Sequence, residues 1–97
     1  MYLYNVTVIA ENGVEAAVKQ HIQMQLATQR NDETPARLLE MLDSPHEGTT
    51  YCIQLVTQDR PEITAFQKHH LTAIQALTDT YPGKVLFFDS IMKYLND

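Results

Sequence analysis

The sequence predicts an α+β domain in which a four-stranded antiparallel sheet carries two helices on one face. Three observations carry that prediction. Tyr4-Asn5-Val6-Thr7-Val8 and the run Thr49 to Thr57 alternate with a period of two, as strands buried on one side do. Val14, Val18, Ile22 and Leu26 recur every four residues, and Ile63, Phe66, Ile74, Leu77 and Tyr81 also repeat at a helical period. These segments succeed one another as strand, helix, strand, strand, helix, strand.

The first strand covers Tyr2 to Ile9 and stops at Glu11-Asn12-Gly13. Asn12 reads as the N-cap of the first helix, with Glu15 as its capping-box partner. Ala17 and Met24 widen the apolar stripe, and the helix closes in the polar run that leads to Pro35. Ala36–Leu42 contains only good helix formers, yet Pro35 and Asp43-Ser44-Pro45 confine it to about seven residues. A run so short favours a strand, and the short loop after it predicts a hairpin with Thr49–Thr57. Asp59-Arg60-Pro61-Glu62 opens the second helix with an acidic cap, an early proline and an acidic first turn, and Pro82-Gly83 ends it. Lys84 to Tyr94 is the last strand, apolar at nearly every position, so both of its faces are expected to be covered. The arrangement is ferredoxin-like, βαββαβ, and right-handed crossovers place both helices on the same side of the sheet. The other side is left bare.

Ninety-seven residues, 44% hydrophobic and 20% charged, make one domain spanning residues 1–97. A net charge of −5, with seven scattered Lys and Arg, excludes a phosphate-tracking surface and with it a nucleic-acid partner. Cys52 is the only cysteine, so no intrachain disulfide forms. The N-terminus lacks a secretory signal, and no apolar run reaches the roughly 20 residues that span a bilayer. The expectation is a cytoplasmic protein with no membrane partner.

The bare face has a mixed character. Leu3, Asn5, Thr7 and Ile9 share it with Cys52, Gln54 and Val56 of the third strand and with Leu86, Phe88 and Met92 near the end of the chain. A sheet meeting water would carry Lys, Glu and Thr there. Each large apolar side chain gains roughly 1.5–3 kcal/mol on full burial, so the expected partner is a second copy stacked face to face about a two-fold axis. Asn5, Thr7 and Gln54 would then need partners in that interior or would line a cavity that binds a ligand.

Several stretches together resemble an uncharacterised domain-of-unknown-function family of short bacterial proteins. They are the Tyr-Asn-Val-Thr-Val start, His21-Ile22 followed by Leu26-Ala27-Thr28, Gly48-Thr49-Thr50-Tyr51 with Gln54, and Gly83-Lys84 through Phe88. The resemblance spans nearly the whole chain and implies a ferredoxin-like fold of the dimeric α/β-barrel type, with no activity assigned. Two departures stand out. This chain has Ile22-Gln23 where the family tends to place a proline after the histidine, and His69-His70-Leu71 lacks the proline and arginine of the family's second helix.

The histidines are the remaining candidates for chemistry. Helical geometry sets His21 among Val14, Ala17, Val18 and Ile22, and sets His70 between Phe66, Ile74 and Leu77. Alignment to the family from Tyr81 instead points to His69. Either these rings are packed and hydrogen-bonded within the core, or they position a ligand or move protons in a pocket between helices and sheet. No histidine or cysteine spacing supplies a metal chelate, no glycine-rich loop supplies a phosphate site, and no pair of carboxylates or nucleophile–base set is visible. No catalytic residue, metal or cofactor is therefore assigned. Asn5, Thr7, His21, Gln54, His69 and His70 stand as ligand-binding candidates. Two functions of different classes follow: a homodimeric binding or interaction module, or a cofactor-free oxygenase or isomerase using an enclosed cavity.

Overall fold

The computed structural model describes residues 1–96. Four strands, β1 (Tyr2–Ala10), β2 (Arg37–Glu40), β3 (Thr49–Thr57) and β4 (Val85–Lys93), form one sheet in the order β2-β3-β1-β4. All neighbouring pairs are antiparallel. Helix α1 (Glu15–Leu26) follows β1. The second helical segment runs as α2 (Arg60–Phe66), a π-turn (Gln67–Leu71), α3 (Thr72–Gln75) and α4 (Leu77–Thr80). This is the ferredoxin-like fold.

β1 holds the centre. It pairs along its whole length with β3 on one side and β4 on the other. Its even positions, Tyr4, Val6, Val8 and Ala10, are buried under the helices, and its odd positions lie on the opposite face. Tyr51, Ile53 and Leu55 of β3 complete the sheet side of the core. Val18 and Ile22 of α1 and Ile63, Phe66, Leu71, Ile74 and Leu77 of the second segment close it from above. The Tyr51 hydroxyl donates to the Glu15 carbonyl across the layers, so that buried phenol is satisfied.

β2 forms against its propensity. Arg37, Leu38, Leu39 and Glu40 pair with Gln54, Ile53, Cys52 and Tyr51, and the Met41 N–H adds a bond to the Thr50 carbonyl. A ready-made edge on β3 outweighs helix preferences of a few tenths of a kcal/mol per residue. Three expectations need correction. α1 starts at Glu15 with Val14 as its N-cap, so Asn12 does not cap it; the Glu15 carboxylate instead accepts from the Gly13 N–H in the entry turn. The second segment is interrupted by the π-turn, which adds a residue and brings Leu71 inward beside the expected His70. β4 is not covered on both faces: it is an edge strand, with Val85 buried, Phe87 half-buried and Phe88 to Lys93 exposed. The helical layer ends before reaching the far half of β4, so Ile91 is exposed even on the helix side.

The β2–β3 loop crosses the end of β1 tightly. Gly48 has φ +83°, and a Cβ there would lie 2.2 Å from the Ala10 carbonyl oxygen. Gly13 also has positive φ, +103°, but a Cβ there would meet nothing within 4 Å. Gly13→Ala should therefore cost only the backbone term, about 1 kcal/mol, whereas Gly48→Ala should cost about 3 kcal/mol or more because backbone must move. Urea denaturation of the two variants checks this; equal midpoints would contradict the close approach at Ala10.

Candidate functional site

The helix-free face is organised by register. Arg37, Gln54, Asn5 and Ser90 sit opposite one another on β2, β3, β1 and β4, which lays a polar row across the middle of the sheet. Gln54 donates through Nε2 to Asn5 Oδ1 at 3.1 Å, and Asn5 donates through Nδ2 to Thr7 Oγ1 at 3.0 Å. Asn5, Thr7 and Gln54 are thus one connected, half-buried chain. Apolar side chains flank it, with Leu39, Cys52 and Phe88 beside Thr7 on one side and Val56, Leu3 and Met92 on the other. Leu39, Val56, Leu86, Phe88 and Met92 are 44–58% exposed. So many large apolar side chains on one flat face form a patch that calls for a partner.

The helix side carries a second feature. His70, 5% exposed, lies on the π-turn and packs on Phe66, with ring centroids 5.5 Å apart. Gln25 of α1 donates through Nε2 to His70 Nδ1 at 3.0 Å, which leaves the ring proton on Nε2. That proton is shared with Glu33, whose two carboxylate oxygens lie 3.2 and 3.3 Å away. Glu33 also accepts from the Arg30 backbone N–H at 2.7 Å. This N–H, helped by the His70 ring, holds the Glu33 carboxyl below the usual carboxylate range against the opposing effect of burial. Gln29 braces the loop from both ends, donating to the Thr34 carbonyl and accepting from the Ala36 N–H. Between this loop and α2 lies a pocket of about 270 Å³ lined by Glu33, Glu62, Leu55, Phe66, His69 and His70, among others.

A buried phenol supports the Phe66 wall from below. Tyr4 meets Phe66 edge-on with centroids 6.2 Å apart and donates to Asp89 Oδ2 at 2.7 Å. Burial, with Asp89 adding to it, pushes the Tyr4 phenol well above its ordinary range, so it stays a donor at every physiological pH.

The six sequence candidates separate into two groups on opposite sides of the sheet. Asn5, Thr7 and Gln54 come together on the bare face, while His69 and His70 line the helix-side pocket, His70 buried and His69 exposed. His21 departs from expectation: it is exposed, and its Nε2 lies 3.3 Å from the Ala73 carbonyl on the flank of the neighbouring segment. α1 buries only Val18 and Ile22, so two small anchors set its roll and leave His21 outside. Sequence reasoning missed Glu33 and Gln25, which lie 37 and 45 positions from His70. The available signal was Glu33 three residues after Arg30 in a turn-forming run closed by Pro35, a spacing that lets a carboxylate bond its own loop. Among the described residues, no group of three or more His, Cys, Asp or Glu side chains is placed to hold a metal ion. Among the same residues, no helix is long and apolar enough to cross a membrane.

These features define a ferredoxin-like α+β protein with an uncovered sheet face and a helix-side pocket. The sequence matches the domain of unknown function DUF4286 over residues 1–95, and the chain belongs to that family. No curated protein matches it significantly. Among solved structures it is similar to a proposed antibiotic biosynthesis monooxygenase from Deinococcus radiodurans, at 14% identity and TM-score 0.76, covering 100% of this chain and 95% of that one. It is also similar to SnoaB, a cofactor-independent oxygenase from Streptomyces nogalater, at 14% identity, TM-score 0.53 and coverage of 99% and 95%. A dabb family protein with a ferredoxin-like fold from Mesorhizobium loti matches at 12% identity and TM-score 0.53, covering 99% of this chain and all of the other. At such identities the likeness establishes the shared fold alone.

Two outcomes follow for the helix-side cluster. His70→Ala should cost about 2–4 kcal/mol, because it empties a packed position and orphans Gln25 and Glu33. His21→Ala and His46→Ala, both at exposed rings, should stay within about 0.5 kcal/mol. Urea midpoints that are equal for His70→Ala and His46→Ala would contradict this placement. For Glu33, a lowered folded-state pKa contributes stability above the ordinary glutamate pKa of about 4.3, and that contribution is lost as pH falls through the folded value. Between neutral pH and pH 3, Glu33→Gln should therefore show a shallower acid loss of stability than the wild type in denaturation at stepped pH.

Proposed function

We propose that the protein is a homodimeric binding module of the dimeric α/β-barrel type. Two copies stack their helix-free faces about a two-fold axis, and the assembly holds a small ligand or a protein partner without transforming it. The observation that supports this reading is the exposed apolar surface of Leu39, Val56, Leu86, Phe88 and Met92 around the Asn5–Gln54 row. Strands about 4.8 Å apart with a rise of about 3.3 Å per residue give a face of roughly 500 Å². Two such faces bury roughly 1,000 Å² before side-chain relief is counted, which meets the minimum of about 1,000 Å² for a specific interface. In the stacked arrangement Asn5, Thr7 and Gln54 face the interior as ligand-binding candidates. The same reading keeps the cytoplasmic location expected from the sequence.

The second reading, a cofactor-free oxygenase or isomerase, has one observation in its favour: His69 and His70 do line a pocket. His70 is a poor proton carrier there, because Gln25 occupies one ring nitrogen and Glu33 the other. The geometry favours binding over turnover.

Adjacent positions test the interface, since a one-residue step changes faces. Thr7→Lys puts an unpaired charge on the helix-free face and should convert a dimer to monomer in sedimentation equilibrium, at a cost of several kcal/mol per dimer. Val8, fully buried under the helices, should not tolerate lysine, and Val8→Lys should unfold the chain. A monomeric wild type at tens of micromolar, or a Thr7→Lys protein that remains dimeric, would overturn the stacked-face reading.

A further inference from the structure

The helix-side pocket has properties that select one class of ligand, independently of whether the two sheets stack. Its floor is apolar: Leu55 of β3 and Phe66 of α2 line it, and no strand covers this end of β3 because β2 pairs only as far as Gln54. One wall is a carboxylate held in place. Glu33 has 21% of its side chain exposed, is anchored by the Arg30 backbone N–H and is backed by the buried His70 imidazole. A carboxylate has about four acceptor sites, so the long contact at Oε1 leaves capacity toward the pocket. Glu62, half-buried on α2, also lines the pocket.

The charge at this site is not balanced from within. Among the described residues Arg30 is the sole Lys or Arg lining the pocket, and its side chain pairs with Asp32, which also lines the rim, at 3.2 Å, both more than 70% exposed, so these two charges offset each other. Among the described residues, Glu62 has no salt-bridge partner. The Gln25–His70–Glu33 relay and the π-turn that seats it spend buried polar groups on fixing one carboxylate at the rim of an apolar cavity. Core packing alone requires none of this, and π-turns inside helices are frequent at functional sites.

We propose that this pocket binds a small organic ammonium, a protonated primary amine on an apolar body, with Glu33 and Glu62 receiving the N–H donors and Phe66 and Leu55 packing the body. His70 acts as a positioning residue that orients Glu33. The volume of about 270 Å³ lies at the small end of ligand pockets, which fits a ligand of phenylethylamine size. Phosphates and carboxylates are repelled by the same two acidic side chains.

Heteronuclear NMR titration at pH 7 with three matched probes tests this: 2-phenylethylamine, 2-phenylethanol and 3-phenylpropionate. The amine should shift amides of residues 29–34 and 62–70 saturably, the alcohol should bind roughly tenfold or more weakly, and the anion should not bind. Glu33→Gln and Glu62→Gln should each weaken the amine by about tenfold or more while leaving the rest of the spectrum in place. Glu62 is only half-buried and bonds to no core group, so its variant keeps the test intact if Glu33→Gln perturbs the loop. His70→Gln should weaken the amine together with a change in the Glu33 side-chain carboxyl shift. Equal binding of the three probes, amine shifts scattered over the acidic surface, or affinity unchanged in both glutamine variants would overturn the proposal. The titration repeated on Thr7→Lys should give the same result, which separates this site from the sheet interface.

Discussion

The constraint on which the structure depends is the register of β1 between its two neighbours. A strand paired on both sides cannot slip by one residue without moving Tyr4, Val6, Val8 and Ala10 from the core to the surface. Each of those side chains gains burial energy of the order of 1–3 kcal/mol, and the loss would be collective. Fixing β1 fixes the rows of β3 and β4 as well. The core and the helix-free face are therefore two consequences of one pairing pattern.

From that pattern the two faces diverge in character. Helices cover the even side, where buried polar groups such as Tyr4, Tyr51 and His70 each find a partner. Nothing among the described residues covers the odd side, yet apart from Arg37 at the β2 edge it is neither charged nor uniformly greasy. Its polar row, Gln54–Asn5–Thr7, is linked by bonds along and across the strands, and the remaining N–H and O–H donors of these side chains are left for a partner or ligand. The solved structures to which the chain is similar share the fold at 12–14% identity.

The helix side shows how local irregularity places polar groups. A straight helix through residues 60–80 would present Ile63, Phe66, His70, Ile74 and Leu77 in one stripe. The π-turn widens that stripe by admitting Leu71 beside His70 and lets the imidazole reach both α1 and the loop that carries Glu33. The pocket lies at the same end of β3, where β2 has already stopped and the Gln29-braced loop substitutes for a fourth strand. Pocket, relay and loop are thus three results of one short edge strand.

By itself the sequence determined the strands, the order of elements and the two-sidedness of the sheet, because a period of two over nine residues has a single geometric reading. It also determined β2 through length: a run closed by two prolines is too short for a stable helix and sits beside an open edge. What tertiary structure alone decided were the roll of α1, the π-turn, the exposure of β4 and the Glu33 relay. Val18 and Ile22 are too few to fix a helix face from periodicity, so His21 fell outside it. No residue type announces the π-turn over Gln67–Leu71. Strand-level hydropathy cannot report where a helical layer ends, which is why an apolar β4 lies open. Glu33 meets His70 across 37 positions because a loop and a helix converge over the end of β3, and convergence of that kind is a property of the folded chain.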